Sequence, residues 1–451
     1  MHSAKLTTTK LISVLFVLLG IQTTAYSQEN SPYSRYGLGD RAPNQNMFTR
    51  SMGGISAAVV DYQSVNFVNP ATLGSLSVTI FDIGGEVDIR TLKSVNPVKR
   101  FSATNTIFSY LQLGVPLTTP KMRKKDISWG LNFGLKPVTK INYKIEKDTR
   151  LTNIDSLNTL YEGSGGTNQA FIGTGIRFKH FSIGVSAGYM FGNKDYSTRL
   201  SFINDTVTYY KSNSANQTNF GGMLFTAGLQ YEILLSKDKN RAFPRLRLGV
   251  YGNLQQKLNA TRTDVRETFE YDANLAAYRI DSVYESKDVK GKIDYPSSFG
   301  AGFTYQDVHW LIGADYEKTS WSKYRYYGQT DLVQDNWVIR VGAQYYPAKE
   351  NTPVRKYFNF VRYRAGFYYG PDYIKTNNSR PDYAVTFGAG MPLTSLQRVS
   401  YNPESGFVTL NTGVEIGGRG DKKGNNLRET TVRFTIGVSM NANWFIKRKY
   451  N

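Results

Sequence analysis

An alternation that starts near residue 76 and runs to the end constrains this chain more than any other feature. Segments of about ten residues carry an apolar side chain at every second position, with small or polar ones between, and each ends in a turn or polar loop. Residues Phe181 to Phe191 show it best: Phe181, Ile183, Val185, Ala187, Tyr189 and Phe191 share one face, and Ser182, Gly184, Ser186 and Gly188 the other. A soluble sandwich does this in a few strands. Some fourteen such segments behind an export signal predict an all-β fold, a 14-stranded antiparallel transmembrane β-barrel.

Residues 1–27 read as a signal peptide. Lys5 and Lys10 give a positive start, Leu11 to Ile21 an apolar stretch, and Ala25-Tyr26-Ser27 a small-x-small cleavage site. The apolar run is shorter than the roughly 20 residues a spanning helix needs, so the functional chain is expected to begin near Gln28. The destination is the outer membrane of a Gram-negative cell. There is no cysteine, hence no disulfide framework and no thiolate chemistry. The 55 Lys and Arg against 35 Asp and Glu leave a net charge of +20. In a soluble protein that balance would suggest nucleic acid. Here it is spread over many loops, no nucleic-acid motif accompanies it, and no nucleic-acid partner is expected. Basic loops suit the phosphates of outer-leaflet lipopolysaccharide; solvated loop charge without a partner is the equally simple reading.

Residues 28–75 do not alternate. Pro32, Pro43, Pro70, Gly53-Gly54 and the small residues Ser56, Ala57 and Ala58 make them turn-rich, yet Met47, Phe48, Met52, Ile55, Val59, Val60, Val65, Phe67 and Val68 are too apolar for a disordered tail. They read as an N-terminal plug, or hatch, folded into the lumen of a barrel that occupies 76–451. The strands are expected near 76–91, 101–116, 126–145, 168–178, 180–193, 218–234, 244–258, 297–306, 308–318, 334–346, 358–370, 382–392, 407–417 and 430–446. In 337–346, Trp337, Ile339, Val341, Ala343 and Tyr345 would face lipid, with Arg340, Gly342, Gln344 and Tyr346 inside. In 361–369, Val361, Tyr363, Ala365, Phe367 and Tyr369 would face out and Arg362 and Arg364 in; arginine on the lipid face near the midplane costs about 2–4 kcal/mol, which fixes the register. In the last strand Val432, Phe434, Ile436, Val438, Met440, Ala442 and Trp444 would face out, and Arg433, Thr435, Ser439 and Asn441 in.

Connection lengths test this count independently, because such barrels have short periplasmic turns and longer outer loops. The longest connections, near 146–167, 194–217, 259–296 and 319–333, all fall on the outer side, and the tightest, at Lys179 and Asp307, on the periplasmic side. Connections near 347–357 and 393–406 are long for periplasmic turns. Glu267 to Tyr284 reads as a hairpin above the membrane.

Three stretches of the plug carry a family likeness: Tyr33-Ser34-Arg35-Tyr36-Gly37-Leu38-Gly39, Ser51-Met52-Gly53-Gly54-Ile55-Ser56-Ala57-Ala58 and Ser64-Val65-Asn66-Phe67-Val68-Asn69-Pro70-Ala71. Together with the barrel they resemble the long-chain fatty acid transporter (FadL) family, in which an N-terminal hatch ends in an Asn-Pro-Ala box just before the first of fourteen strands. The end, Trp444-Phe445-Ile446-Lys447-Arg448-Lys449-Tyr450, also looks like the last strand of envelope relatives of that family. The box has a physical reading of its own. Pro70 fixes its φ and pushes Asn69 toward extended geometry, while Asn69 can bond neighbouring backbone, so the pair makes a rigid corner between plug and wall. Gly53, Gly54, Asn69, Pro70 and Ala71 are therefore structural candidates, and the resemblance implies Phe48, Met52 and Phe67 as ligand-lining candidates in the plug.

Pro137 stands inside the third strand, in Gly134-Leu135-Lys136-Pro137-Val138-Thr139. Proline cannot donate to a ladder, so it marks a break or bulge. The resemblance implies a lateral portal at this strand; a bulge that only adjusts curvature is the plainer reading. Chemistry is otherwise sparse. The histidines are His2, His180 and His309, Gly417-Gly418-Arg419-Gly420-Asp421 reads as a loop tip, and Asp82, Glu86 and Asp88 are expected to pair with lumenal arginines. No catalytic site, metal site or cofactor is expected. Two functions stand open: uptake of a hydrophobic small molecule through a plugged lumen, and a non-transporting structural or shuttle role in an envelope protein-secretion or assembly complex, as in PorV-type relatives. Trp321-Ser322-Lys323-Tyr324-Arg325-Tyr326-Tyr327 is the sort of loop that contacts a partner protein or lipopolysaccharide. An apolar lumen leading to a breach would favour transport, and a sealed wall around a polar lumen the second role.

Overall fold

The computed structural model describes residues 31–94, 98–150, 156–203, 209–236, 244–274, 277–348, 356–375, 380–394, 406–420 and 427–442. The signal segment 1–27 and Trp444–Tyr450 lie outside the described residues.

Fourteen antiparallel strands form a closed sheet. They are β1 (Thr79–Lys93), β2 (Arg100–Pro116), β3 (Ile127–Arg150), β4 (Ser156–Phe178), β5 (Phe181–Phe202), β6 (Lys211–Leu234), β7 (Arg245–Asn253 below, Gln256–Tyr271 above), β8 (Ala277–Tyr295 above, Ser298–Gln306 below), β9 (Trp310–Thr319), β10 (Asn336–Tyr345), β11 (Arg362–Pro371), β12 (Pro381–Pro392), β13 (Val408–Arg419) and β14 (Arg428–Ala442). Pairing of β14 with β1, from Arg428↔Lys93 to Ala442↔Thr79, closes the barrel, so neither its first nor its last strand is left as an edge.

Every expected strand is present, and the two faces sort as the alternation requires. Ile183, Val185, Ile339, Val341, Phe367, Phe434 and Ile436 are exposed on the lipid side, while Ser182, Arg340, Gln344, Arg362, Arg364, Arg433 and Ser439 are buried inside. Val361 departs from this: β11 begins one residue later, after the 3-10 turn Tyr357–Phe360, and Val361 is buried.

The larger difference concerns the outer connections. Three of them are tall walls rather than loops. The β3–β4 ladder continues to Arg150↔Ser156, the β5–β6 ladder to Leu200↔Ser212, and the upper β7–β8 hairpin, expected at 267–284, to Tyr271↔Ala277. Polar alternation such as Ser212-Asn213-Ser214-Ala215-Asn216 has no lipid face, so the period that marks a membrane strand fades although the ladder does not. The fourth connection folds inward. Trp321 and Tyr324 are buried over the N-terminal segment, where the Tyr324 hydroxyl donates to Gly37 O at 3.2 Å. Trp321 packs on Tyr295 and Tyr373, so it and Tyr324 point inward over the N-terminal segment, while Ser322 and Lys323 of the same run stay exposed.

Candidate functional site: the lumenal segment and the wall it leans on

The N-terminal residues from Ser31 onward lie against inward-facing positions of the barrel. Asn69 is fully buried, with extended backbone, just ahead of the first barrel strand. Its Oδ1 accepts from the Ala71 amide at 3.0 Å, its Nδ2 donates to Ala57 O and to Leu229 O on β6, and Pro70 opens the 3-10 turn Pro70–Ser75. The floor beneath is glycine. A Cβ at Gly184 would collide with the Pro70 backbone and one at Gly249 with the Ala57 backbone, while one at Gly228 would meet the Asn69 side-chain oxygen. Gly53 and Gly54 take φ of +67° and +83°, and the Gly53 amide donates to Thr386 Oγ1 on β12 at 2.9 Å.

The opposite side of the segment is held by charge. Asp40 receives Arg90 of β1 at 2.7 Å and also Arg419 of β13. Burial works to raise the Asp40 carboxyl, but Arg419 and Arg90 outweigh it and hold the group below the usual carboxylate range. Arg50 pairs with Glu86 and, at 3.7 Å, with Glu415; Arg433 reaches Glu86 at 3.6 Å, Asp88 at 3.7 Å and Glu415; Arg380 bridges Glu429 at 2.9 Å and Asp372 at 3.1 Å. Glu86 and Asp88 therefore meet lumenal arginines as expected. Asp82 does not: its oxygens accept from Tyr110, Ser439, Ser64 and Gln112.

Between β2 and β3 the wall is incomplete. Their ladder runs from Pro116↔Gly130 to Leu111↔Leu135 and stops, although β2 stays paired with β1 up to Arg100↔Lys93 and β3 with β4 up to Arg150↔Ser156. Pro137 stands just above the stop, where the β3–β4 register shifts between Pro137 and Thr139. The edge of β3 thus freed is taken by the N-terminal segment: Asp40 pairs with Lys140, Arg41 with Thr139, and the Ala42 amide donates to Val138 O at 2.9 Å. A cavity of about 410 Å³ lies at this gap, bordered by Ile107, Phe108, Pro137, Asp88, Arg90 and Arg433 among others. Asp40–Ala42 was not singled out from the sequence. Its signal was an acid directly after Gly37-Leu38-Gly39, in a stretch that holds no other acid between Glu29 and Asp61.

The ligand-lining candidates separate. Phe48 and Met52 are packed with Ile55, Val59 and Leu311, and Phe48 lies under the Arg364 guanidinium at 4.4 Å. Phe67 borders a second inner cavity with Val68, Phe171, Leu224, Tyr251 and Trp321, where the Lys136 ammonium stands 4.6 Å from its ring centroid.

The sequence model of the BamG family matches residues 8–451. The chain belongs to the BamG family. No curated protein sequence matches it. Among solved structures this BamG-family chain is similar to a Pseudomonas aeruginosa FadL homologue (12% identity, 90% of this chain and 100% of that one covered, TM-score 0.55). It is similar as well to the Ralstonia pickettii toluene transporter TbuX (14%, 90% and 99%, TM-score 0.52) and the Pseudomonas putida toluene transporter TodX (15%, 90% and 100%, TM-score 0.51). At these identities the likeness establishes the fold: this BamG-family chain has the fold of a FadL-type β-barrel.

Proposed function

We propose that this barrel takes a hydrophobic small molecule from outside and passes it between lumen and membrane through the gap beside Pro137, with residues 28–75 acting as its plug. The observation that carries this reading is the β2–β3 ladder, which ends at Leu111↔Leu135 while both strands continue along their other neighbours. Asp40–Ala42 lies along the freed edge, and Arg41 and Ala42 border both the gap cavity and the inner cavity that contains Phe67. This short strand is a gate in the proposal, Phe67 the first ligand contact, and the barrel performs no catalysis. The toluene transporters share the fold, which supports an apolar cargo. The chain has no native cysteine, so an Arg41→Cys/Thr139→Cys pair placed at facing register positions gives a clean test. Oxidised, it should cut uptake of a fluorescent fatty acid into proteoliposomes about tenfold, with recovery on reduction. Equal uptake in both redox states would remove the gate.

A second reading has its own observation. The gap cavity is bordered by Asp40, Glu86, Asp88, Arg90 and Arg433; Asp40 pairs with Arg90 of β1 and Arg419 of β13, and Arg433 of β14 with Glu86 and Asp88 of β1. So charged a lumen suits a barrel that stays closed and serves as a structural or shuttle subunit of an envelope protein-secretion or assembly complex. Lipopolysaccharide contact by the basic outer rim is compatible with either reading.

A further inference from the structure

The wall is interrupted a second time, between β6 and β7, far from Pro137 in strand order. β6 pairs with lower β7 from Leu234↔Arg245 to Ala227↔Gly252 and with upper β7 from Gly221↔Asn259 onward, so Gly222–Thr226 has no ladder partner on that side. At the same level β7 breaks at Leu254-Gln255 and β8 at Pro296-Ser297. Asn253 stitches the two breaks together: its Nδ2 donates to Leu254 O and Pro296 O, both at 3.1 Å, and its Oδ1 accepts from the Ser298 hydroxyl.

On the lipid side of this break lies a groove of about 720 Å³ with walls from Ile183, Val185, Leu229, Val250, Leu254 and Phe299. Its shape follows from one row of ladder partners, Val185↔Ala227↔Gly252↔Phe299↔Lys318. Two small residues stand between larger ones, and the surface dips there. Lys318 is exposed at the end of the row and, among the described residues, is the charged one that borders the groove. Height along the barrel can be read from β9. Lys318 stands eight residues above Trp310, and at ~3.4 Å per residue and ~40° tilt that is roughly 20 Å, close to the outer rim of a ~25 Å apolar band.

We propose that this groove seats an acyl chain of lipid A in the outer leaflet, with Lys318 on a lipid A phosphate. An apolar trough removes chain methylenes from competing lipid contacts. At the outer rim Lys318 and Lys323 both act on Asp335, and two ammonium groups against one carboxylate leave positive charge that selects an anionic headgroup at that level. A phospholipid of the inner leaflet places its headgroup at the other end of the strands, near Trp310. The proposal does not rest on passage through the β2–β3 gap: it concerns another stretch of wall and a resident lipid rather than a cargo.

The test uses the folded barrel in nanodiscs of phosphatidylethanolamine containing purified lipid A, with a photo-crosslinking amino acid at Leu254 and, as a bilayer control, at Ile339 on β10. Adducts at Leu254 should be enriched in lipid A about tenfold over its mole fraction, while those at Ile339 follow bilayer composition. Lys318→Glu should lower the enrichment at least about fivefold, the worth of one cation near an anionic surface, and Lys318→Arg should keep it. If the probe at Leu254 prevents folding, judged by heat-modifiable migration, a probe at Val250 reads the same groove. Leu254 adducts that follow bilayer composition, or an enrichment indifferent to Lys318→Glu, would overturn the assignment.

Discussion

The two interruptions of the wall use the same local device, a ladder cut short, with opposite surroundings. Beside β3 the freed backbone edge is covered by the chain's own Asp40–Ala42, and the cavity there is bordered by carboxylates and arginines. Between β6 and β7 the bordering side chains are mostly apolar, with Lys318 at the rim. The contrast shows what decides whether a break must be closed from within. A charged gap with open backbone groups cannot face hydrocarbon, so a tethered segment satisfies it. Beside the second gap Asn253 joins the breaks in β7 and β8, and Val185, Leu254 and Phe299 present apolar side chains to the lipid.

Breaking the charged side should give the largest effect. Asp40→Ala leaves Arg90 and Arg419 buried with fewer partners, and the attachment of the N-terminal strand should weaken by about 3 kcal/mol. Hydrogen exchange of the amides in 38–42 should then accelerate while the β4–β5 ladder keeps its protection; unchanged exchange at 38–42 would mean that charge does not hold the cover in place. Gly228→Val tests the glycine floor, where the new side chain would collide with Asn69. A loss of about 1–3 kcal/mol is expected from such overpacking, seen as a lower temperature of heat-modifiable unfolding. Asn69→Ala removes a cap and the bonds to Ala57 and Leu229, and should cost about 1 kcal/mol on the same assay. Pro137→Ala should matter least, below about 1 kcal/mol, because Val138 and Lys140 are already engaged by Ala42 and Asp40. A variant whose β2–β3 ladder closed above Leu135, detected as new amide protection in 103–110, would make the proline alone responsible for the gap.

The barrel was legible because lipid imposes a strict period: Phe434, Ile436 and Met440 must alternate with Arg433, Thr435 and Ser439 or the strand cannot span. Where water replaces lipid, as in 156–167 or 211–220, the period disappears although the pairing persists, and those walls read as loops. The Asn-Pro-Ala corner was legible because proline and asparagine carry their geometry locally. Asp40 was not, since its meaning lies in Arg90 and Arg419, 50 and 379 residues away. Pro137 announced an irregular third strand, but the missing partner is a property of β2, which has no proline between Arg100 and Val115 to report it. The break at Leu254-Gln255 was hidden for the opposite reason: the apolar residues on either side let a single strand be drawn straight through it.

The central claim is that the gap beside Pro137 serves an apolar cargo, and native mass spectrometry of the barrel extracted gently from its own outer membrane tests it most directly. The account predicts a lone barrel that retains a hydrophobic small molecule, with retention reduced in Phe67→Ala. An empty barrel bound in fixed stoichiometry to another envelope protein would contradict it and leave the closed, structural role in its place.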